Sequence, residues 1–505
     1  MKQQQQRKDQ AQPGERFRIV IAGAGPGGIC TAIKLKQAGI EDFVILERSG
    51  AAGGTWHNNR YPGLACDVPS HLYSFSFEPK PDWSRAFATQ PEIKEYMLHC
   101  VEKYGVAPHI RYGSAVTQAQ WDEPRSQWRI TTAAGATLVA DCFISALGMF
   151  NEIQWPDIAG LKDFKGELIH TAAWPEGADL RGKRVAVIGS AASATQMIPE
   201  IAPEVKQLYV YQRTANWVLP KDDKTYTAQE LEQMRRQPEL GLEIRKMYWG
   251  VFEQLVTFSE PVMMEDLRRR GLENLNTVQD PETRRKLYPQ LPLGAQRPLF
   301  SNEFYPTFNR PNVELITDAI DSIGAHCVRS GGAEREVDTV ILATGYAANK
   351  YLSVIDVTGR GGVRLKDAWS DGPQAYLGMT TTGFPNLFML YGPNTNNGSI
   401  LYMLELQVDY ILRKLRHMRQ NGIDWIDVRP EVQAEYNRKV QEEIYAVEAW
   451  RTLGSKYYRT GSGRIVTQWP HNMAVFEERT KAPDNANFEM HKASRSMAEE
   501  QVAAG

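Results

Sequence analysis

Residues 18–22 read RIVIA, an apolar run of the kind that forms a strand buried on both faces, and they lead directly into Gly23-Ala24-Gly25-Pro26-Gly27-Gly28. A helical pattern follows, with Ile29, Ala32, Ile33 and Leu35 apolar. A second apolar run, 43–46, ends at Glu47, 19 residues beyond Gly28. Strand, GxGxxG, helix, strand and acid in this order leave little freedom: they predict a βαβ dinucleotide-binding unit. Gly23 permits the tight turn, Gly25 lets backbone approach a pyrophosphate, and Gly28 lets helix pack on strand. The helix N-terminus attracts the phosphates, and Glu47 accepts from ribose hydroxyls.

The pattern recurs. Residues 183–188 form another apolar strand, and Gly189-Ser190-Ala191-Ala192-Ser193-Ala194 stands where a second glycine loop belongs. Gly189 keeps the turn, and Ala194 is an acceptable small third residue. Ala191 departs from the pattern, placing a methyl where backbone should meet pyrophosphate. The next strand, 208–211, ends in Gln212-Arg213-Thr214 rather than an acid. An arginine there suits the 2′-phosphate of NADP. Two dinucleotide units predict FAD in the first and NADPH in the second, with hydride passing from nicotinamide to flavin.

Composition excludes several classes. At about 150 residues per domain, 505 residues are too many for a single small module. Lys and Arg number 58 against 60 Asp and Glu, so no basic excess points to nucleic acid. No apolar run approaches the roughly 20 residues of a membrane span. The five cysteines, Cys30, Cys66, Cys100, Cys142 and Cys327, form no CxxC pair, and no metal site is expected. The start, MKQQQQRKDQ, has no apolar signal region. A reduced, cytoplasmic setting is expected.

Two longer stretches carry a sharper signal. Residues 53–67 fit G-G-x-W-x4-Y-P-G-x3-D, and residues 164–175 fit F-x-G-x3-H-x3-W-P. Both resemble the signatures of type I Baeyer–Villiger monooxygenases, the FAD- and NADPH-dependent class B flavoprotein monooxygenases. The likeness continues through 342–346, 383–387 and 392–396 and spans about residues 16–480.

The resemblance implies a C4a-peroxyflavin that attacks a ketone and yields an ester or lactone, with dioxygen as co-substrate. It implies that Gly54, Thr55, Trp56, Asp67 and Tyr73 lie along the flavin. Val116, Ser190, Ser193 and Asn394 join the expected cofactor contacts. Arg297 matches the family's catalytic arginine, and Asp67 the carboxylate that holds it. Where the family carries a lysine before that arginine, this chain has Gln296, a second departure on the nicotinamide side. His170 is expected to be structural, near a linker. Two other outcomes stay open: an N- or S-oxygenating flavin monooxygenase, and a non-catalytic dinucleotide-binding protein.

The expected architecture is α/β, with two Rossmann-like domains and a helical insertion. The FAD domain takes 16–150 and 376–480. The NADP domain takes 161–220 and 291–375, and the charge-rich 221–290 forms the insertion. Loose tails are expected at 1–15 and 481–505.

Overall fold

The computed structural model describes residues 15–451 and 458–492. The remainder of the two expected tails lies outside the described residues. In chain order the first unit contributes β1 (Glu15–Ala22), β2 (Phe43–Leu46), β3 (Ile110–Arg111), β4 (Val116–Asp122), β5 (Gln127–Thr132) and β6 (Thr137–Ser145). The second contributes β7 (Glu167–His170), β8 (Arg184–Ile188) and β9 (Gln207–Tyr211). A short ribbon of β10 (Val218–Leu219) and β11 (Leu299–Phe300) brackets the insertion. Then follow β12 (Val313–Ile316), β13 (Ile320–Ile323), β14 (Cys327–Ser330), β15 (Ala333–Glu336) and β16 (Thr339–Leu342). Last come β17 (Asp356–Thr358), β18 (Leu387–Met389), β19 (Trp425–Val428) and β20 (Phe488–His491).

The strands form two main sheets. One runs β17-β4-β5-β6-β1-β2-β3, with β18 beside β6; the other is all parallel, β12-β9-β8-β16-β7. Both are α/β sheets of Rossmann type. Their central strands are apolar at nearly every position because helices or connections cover both faces. The helix after the first loop, Pro26–Gln37, starts on a proline, whose missing N–H costs nothing at a helix start. It packs against the long helix Ile400–Asn421, which stops at the left-handed Gly422.

The insertion carries helices Ala228–Arg236, Glu239–Leu255, Pro261–Leu275 and Pro281–Lys286. It grows from the second unit but leans on the first. Tyr248, Trp249 and Phe252 pack on the first unit's core. The Arg245 guanidinium donates to the carbonyls of His71 and Ser74 at 2.9 and 2.7 Å.

Three boundaries differ from expectation. The chain returns to the first sheet before 376, because β17 pairs in parallel with β4. Glu15 already belongs to β1. The segment after 481 is not wholly a tail: β20 pairs with β19, and Asp484 holds the buried Lys414 ammonium and the Tyr410 hydroxyl. These connections join residues far apart in sequence, so no local composition marks them.

That C-terminal patch holds a titratable device. Asp427 is buried at 5% exposure, and its carboxylate accepts the Gly383 N–H. Arg360 lies 3.5 Å away, with its guanidinium over the Trp425 ring. Burial outweighs both and pushes the Asp427 carboxyl up to about 7. The folded state therefore binds a proton that the unfolded chain has released, so stability falls as pH rises from about 4 through 7. Asp427→Asn is expected to abolish this component. Melting temperatures taken from pH 5 to 8 should fall less steeply in the variant than in the wild type. Parallel curves would refute this.

Candidate active site

Both glycine loops turn in the same way. Gly23 and Gly189 have φ of +105° and +111°, and a Cβ would sit 2.8 and 2.6 Å from the carbonyl oxygens of Ala146 and Ala343. Each turn thus presses on the end of a neighbouring parallel strand. The next loop position also matches. Gly25 has φ −77° and ψ −173°, and Ala191 has φ −85° and ψ −164°. The methyl at 191 therefore strains nothing; it only occupies space in front of the helix. The third positions differ. A Cβ on Gly28 would lie 2.0 Å from the Gly23 carbonyl oxygen, whereas Ala194 carries its Cβ fully buried.

Glu47 is buried at the end of β2 and braces the first loop. Its carboxylate accepts from the Ala24 N–H at 2.7 Å and from the N–H and hydroxyl of Ser49. Residues 53–54 lie against the same loop. The Gly53 N–H donates to Ala24 O, and a Cβ on Gly54 would stand 2.7 Å from the Gly25 Cα. From there, the short helix Thr55–Asn58 carries Trp56, whose indole N–H donates to the Tyr73 hydroxyl at 3.0 Å.

The two units meet along residues 61–67. Gly63 runs so close to helix Ala192–Ile201 that a Cβ would approach the Gln196 carbonyl oxygen to 2.5 Å. Tyr61 donates its hydroxyl to the Gln196 side chain, which donates in turn to the Ala65 carbonyl and to Asp67. Lys221, at the root of the insertion, donates to the Cys66 carbonyl at 2.9 Å and pairs with Asp67 at 3.3 Å. Arg297 stands at the other end of the insertion, just before β11, and its carbonyl accepts from Asn216. Burial pushes the Cys66 thiol up to about 12, opposed by the charges of Lys221 and Arg297. Tyr73 is also raised by burial, and Arg297 again opposes it.

These parts enclose one cavity of about 690 Å³. Its wall includes Gly23, Gly25, Glu47, Gly54, Thr55 and Trp56 from the first loop and the segment against it. Asp67, Tyr73 and Val116 continue it, and Ala191, Ser193, Gln296 and Arg297 close it from the second unit. Both dinucleotide loops thus open on the same space.

Residues 20–254 match the pyridine nucleotide-disulphide oxidoreductase family. A Baeyer–Villiger monooxygenase of Streptomyces coelicolor is 38% identical over 486 residues, covering 94% of this chain and 93% of its own. The chain belongs to the Baeyer–Villiger monooxygenase family. Among solved structures, cyclohexanone monooxygenase from Rhodococcus sp. Phi1 bound to NADP+ superposes with a TM-score of 0.86 at 30% identity, covering 95% of this chain and all of its own. OTEMO in complex with FAD and NADP superposes with a TM-score of 0.85 at 28% identity and the same coverage.

Within this Baeyer–Villiger fold, five of the sequence-predicted residues lie off the cavity wall. Gly28 packs helix on strand, and Gly189 makes its turn. Ser190 is half-buried at that turn, and Arg213 is exposed just past β9. Asn394 is the fifth: it is buried, and its amide donates to the Ile465 and Gln468 carbonyls and so tethers two loops. His170 is buried away from the wall. It accepts from the Ala172 N–H at Nδ1 and so presents Nε2–H to Thr344. Burial lowers its pKa and favours this neutral form.

Gln196 and Lys221 were absent from the sequence reading. Gln196 follows Ser193 by three residues, on the same helix face, and that spacing was a usable signal. Lys221 carried none, since its partners come from another unit.

The matching backbone at positions 25 and 191 leaves space as the difference that the Ala191 methyl makes. Ala191→Gly with Gln296→Lys is expected to tighten NADP+ binding. At about 1 kcal/mol each, the two together amount to roughly 30-fold. Titration of NADP+ against protein fluorescence reads the change; an unchanged affinity would show that neither departure matters.

Proposed function

We propose that this chain is an FAD- and NADPH-dependent monooxygenase that converts a small-molecule ketone into an ester or lactone. Ketone, dioxygen, NADPH and a proton give ester, NADP+ and water. One oxygen atom enters between the carbonyl carbon and a neighbouring carbon, and the other leaves as water. Several features of the chain fit the cofactors. The backbone cradle of Gly25 and Gly54 is one that a Cβ would fill, and it faces a helix N-terminus and a buried acid. Gly23, Gly25 and Glu47 would hold the pyrophosphate and ribose of FAD, and Thr55, Trp56, Tyr73 and Val116 would lie along its rings. Gly189, Ser190, Ser193 and Gln296 would contact NADPH, with Arg213 beside its 2′-phosphate. Bound FAD supplies dioxygen with electrons drawn from NADPH.

The observation that carries the reading is that Arg297, from the second unit, lines the same cavity as Asp67, Trp56 and Tyr73 of the first. An arginine keeps its charge in any such site, because its guanidinium does not deprotonate. Held at the substrate carbonyl, Arg297 stabilises the negative charge that develops on that oxygen. Asp67 fixes the electrostatic setting beside it. The Trp56–Tyr73 pair and the apolar wall keep water away, which strengthens each of these interactions.

The first test is colour and turnover. The purified protein should bind FAD, consume NADPH and convert members of a ketone panel to oxygen-inserted products seen by mass. Sulfides and amines in the same panel detect the other oxygenation outcomes. A protein that takes up no FAD would overturn the proposal. Arg297→Ala is expected to lower ketone oxygenation by about 10²–10³ while NADPH still reduces the flavin. Retained oxygenation would remove Arg297 from the mechanism.

A further inference from the structure

Among the described residues, four charged side chains line the cavity: Glu47, Arg48, Asp67 and Arg297. Their formal charges cancel. Lys221 lies one layer behind, outside the wall. Its ammonium contacts the Cys66 carbonyl and the Asp67 carboxylate and sits 4.9 Å over the Phe87 ring. The side chains of Lys221 and Asp67 are each only 10% exposed. Asn302 clamps the backbone of Lys221 from both sides, accepting its N–H at 3.0 Å and donating to its carbonyl at 2.8 Å. The two carboxylates that follow it are engaged elsewhere, Asp222 with Arg270 and Asp223 with Arg85.

We propose that Lys221 is a positioning residue for the oxygenation: it neutralises Asp67 from across the unit boundary, so that the cavity keeps the net positive charge presented by Arg297. The role rests on the function proposed above. A cation behind Asp67 leaves the wall's own balance one charge positive, in a low-dielectric setting where one charge is strongly felt. It also holds the 66–67 backbone at the register that brings Asp67 to the wall. The lysine belongs to the insertion's root and the aspartate to the first unit, so the pair also ties the two halves at the reacting centre.

The experiment uses the FAD-loaded protein and four variants: Lys221→Met, Lys221→Arg, Asp67→Asn and the double Asp67→Asn/Lys221→Met. The cavity's net charge is one positive in the wild type, zero in Lys221→Met, two positive in Asp67→Asn and again one positive in the double variant. The reduction potential of bound FAD, measured spectroelectrochemically, should follow that order. Asp67→Asn should be the most positive, the wild type, Lys221→Arg and the double variant should group together, and Lys221→Met should be the most negative.

Ketone oxygenation in Lys221→Met should lose at least about tenfold in kcat with little change in KM, and Lys221→Arg should keep most of it. Equal potentials in the wild type and Lys221→Met would overturn the proposal. Should Lys221→Met fail to fold around a stranded carboxylate, the double variant and Asp67→Asn carry the test. A double variant that is not more negative than Asp67→Asn would overturn the proposal. No oxygenated ketone from any variant or the wild type, with the potential order intact, would sink the function proposed above and leave the charge role of Lys221 standing.

Discussion

Each of the two sheets is complete as a dinucleotide unit, and neither alone makes a site. The site depends on residues 61–67 lying directly on helix Ala192–Ile201, an approach that a side chain at Gly63 would block. The Gln196 side chain locks that contact with bonds in three directions, and Lys221 adds an ion pair at its end. Through it, the carboxylate of the first unit and the guanidinium of the second come to share one cavity. Cross-unit polar contacts of this kind hold only while both surfaces stay in place, because a buried carboxylate separated from its cation is costly.

The closure of the insertion is the second requirement. Its root and its end are joined by β10 and β11, in register Val218 to Leu299 and Leu219 to Phe300. Asn216 bonds the Arg297 carbonyl just before the ribbon, and Asn302 bonds Lys221 just after it. One small ribbon therefore sets Lys221 beside Asp67 and Arg297 at the cavity wall. The four helices between are tied to that ribbon, since the Asn274 amide of helix Pro261–Leu275 donates to the Val218 and Ser301 carbonyls. They lean on the first unit through Arg245, whose guanidinium caps the carbonyls next to Tyr73.

The two glycine loops show how closely a shared backbone can hide different demands. Their turns and their helix starts match in angle, yet the first cannot accept a Cβ at its third position and the second carries one there. The first loop is also backed by residues 53–54, so its glycines serve a backbone-to-backbone contact. The second has no such backing on Ala191, which is exposed. A methyl is tolerated there because nothing of the protein needs that space.

Whatever repeats along the chain with a short period was legible in the sequence. The strands β1, β2, β8 and β9, the helix after the first loop and the α/β class all follow from apolar runs and glycine spacing. Part of the wall could also be named, from Gly23 through Tyr73 and on to Arg297, because the family motifs are local. The return to the first sheet at β17, the pairing of β20 and the bonds of Asn394 to the 465–468 segment were not legible. Nor were the roles of Gln196 and Lys221. Each of these depends on a partner from a distant segment, and a sequence carries the residue without its distance to anything else. The sequence alone determined two dinucleotide units and the kinds of side chain available to them. Only the tertiary structure decided which of those side chains face one another, because packing two finished units together is a matter of surface fit, and surface fit has no period.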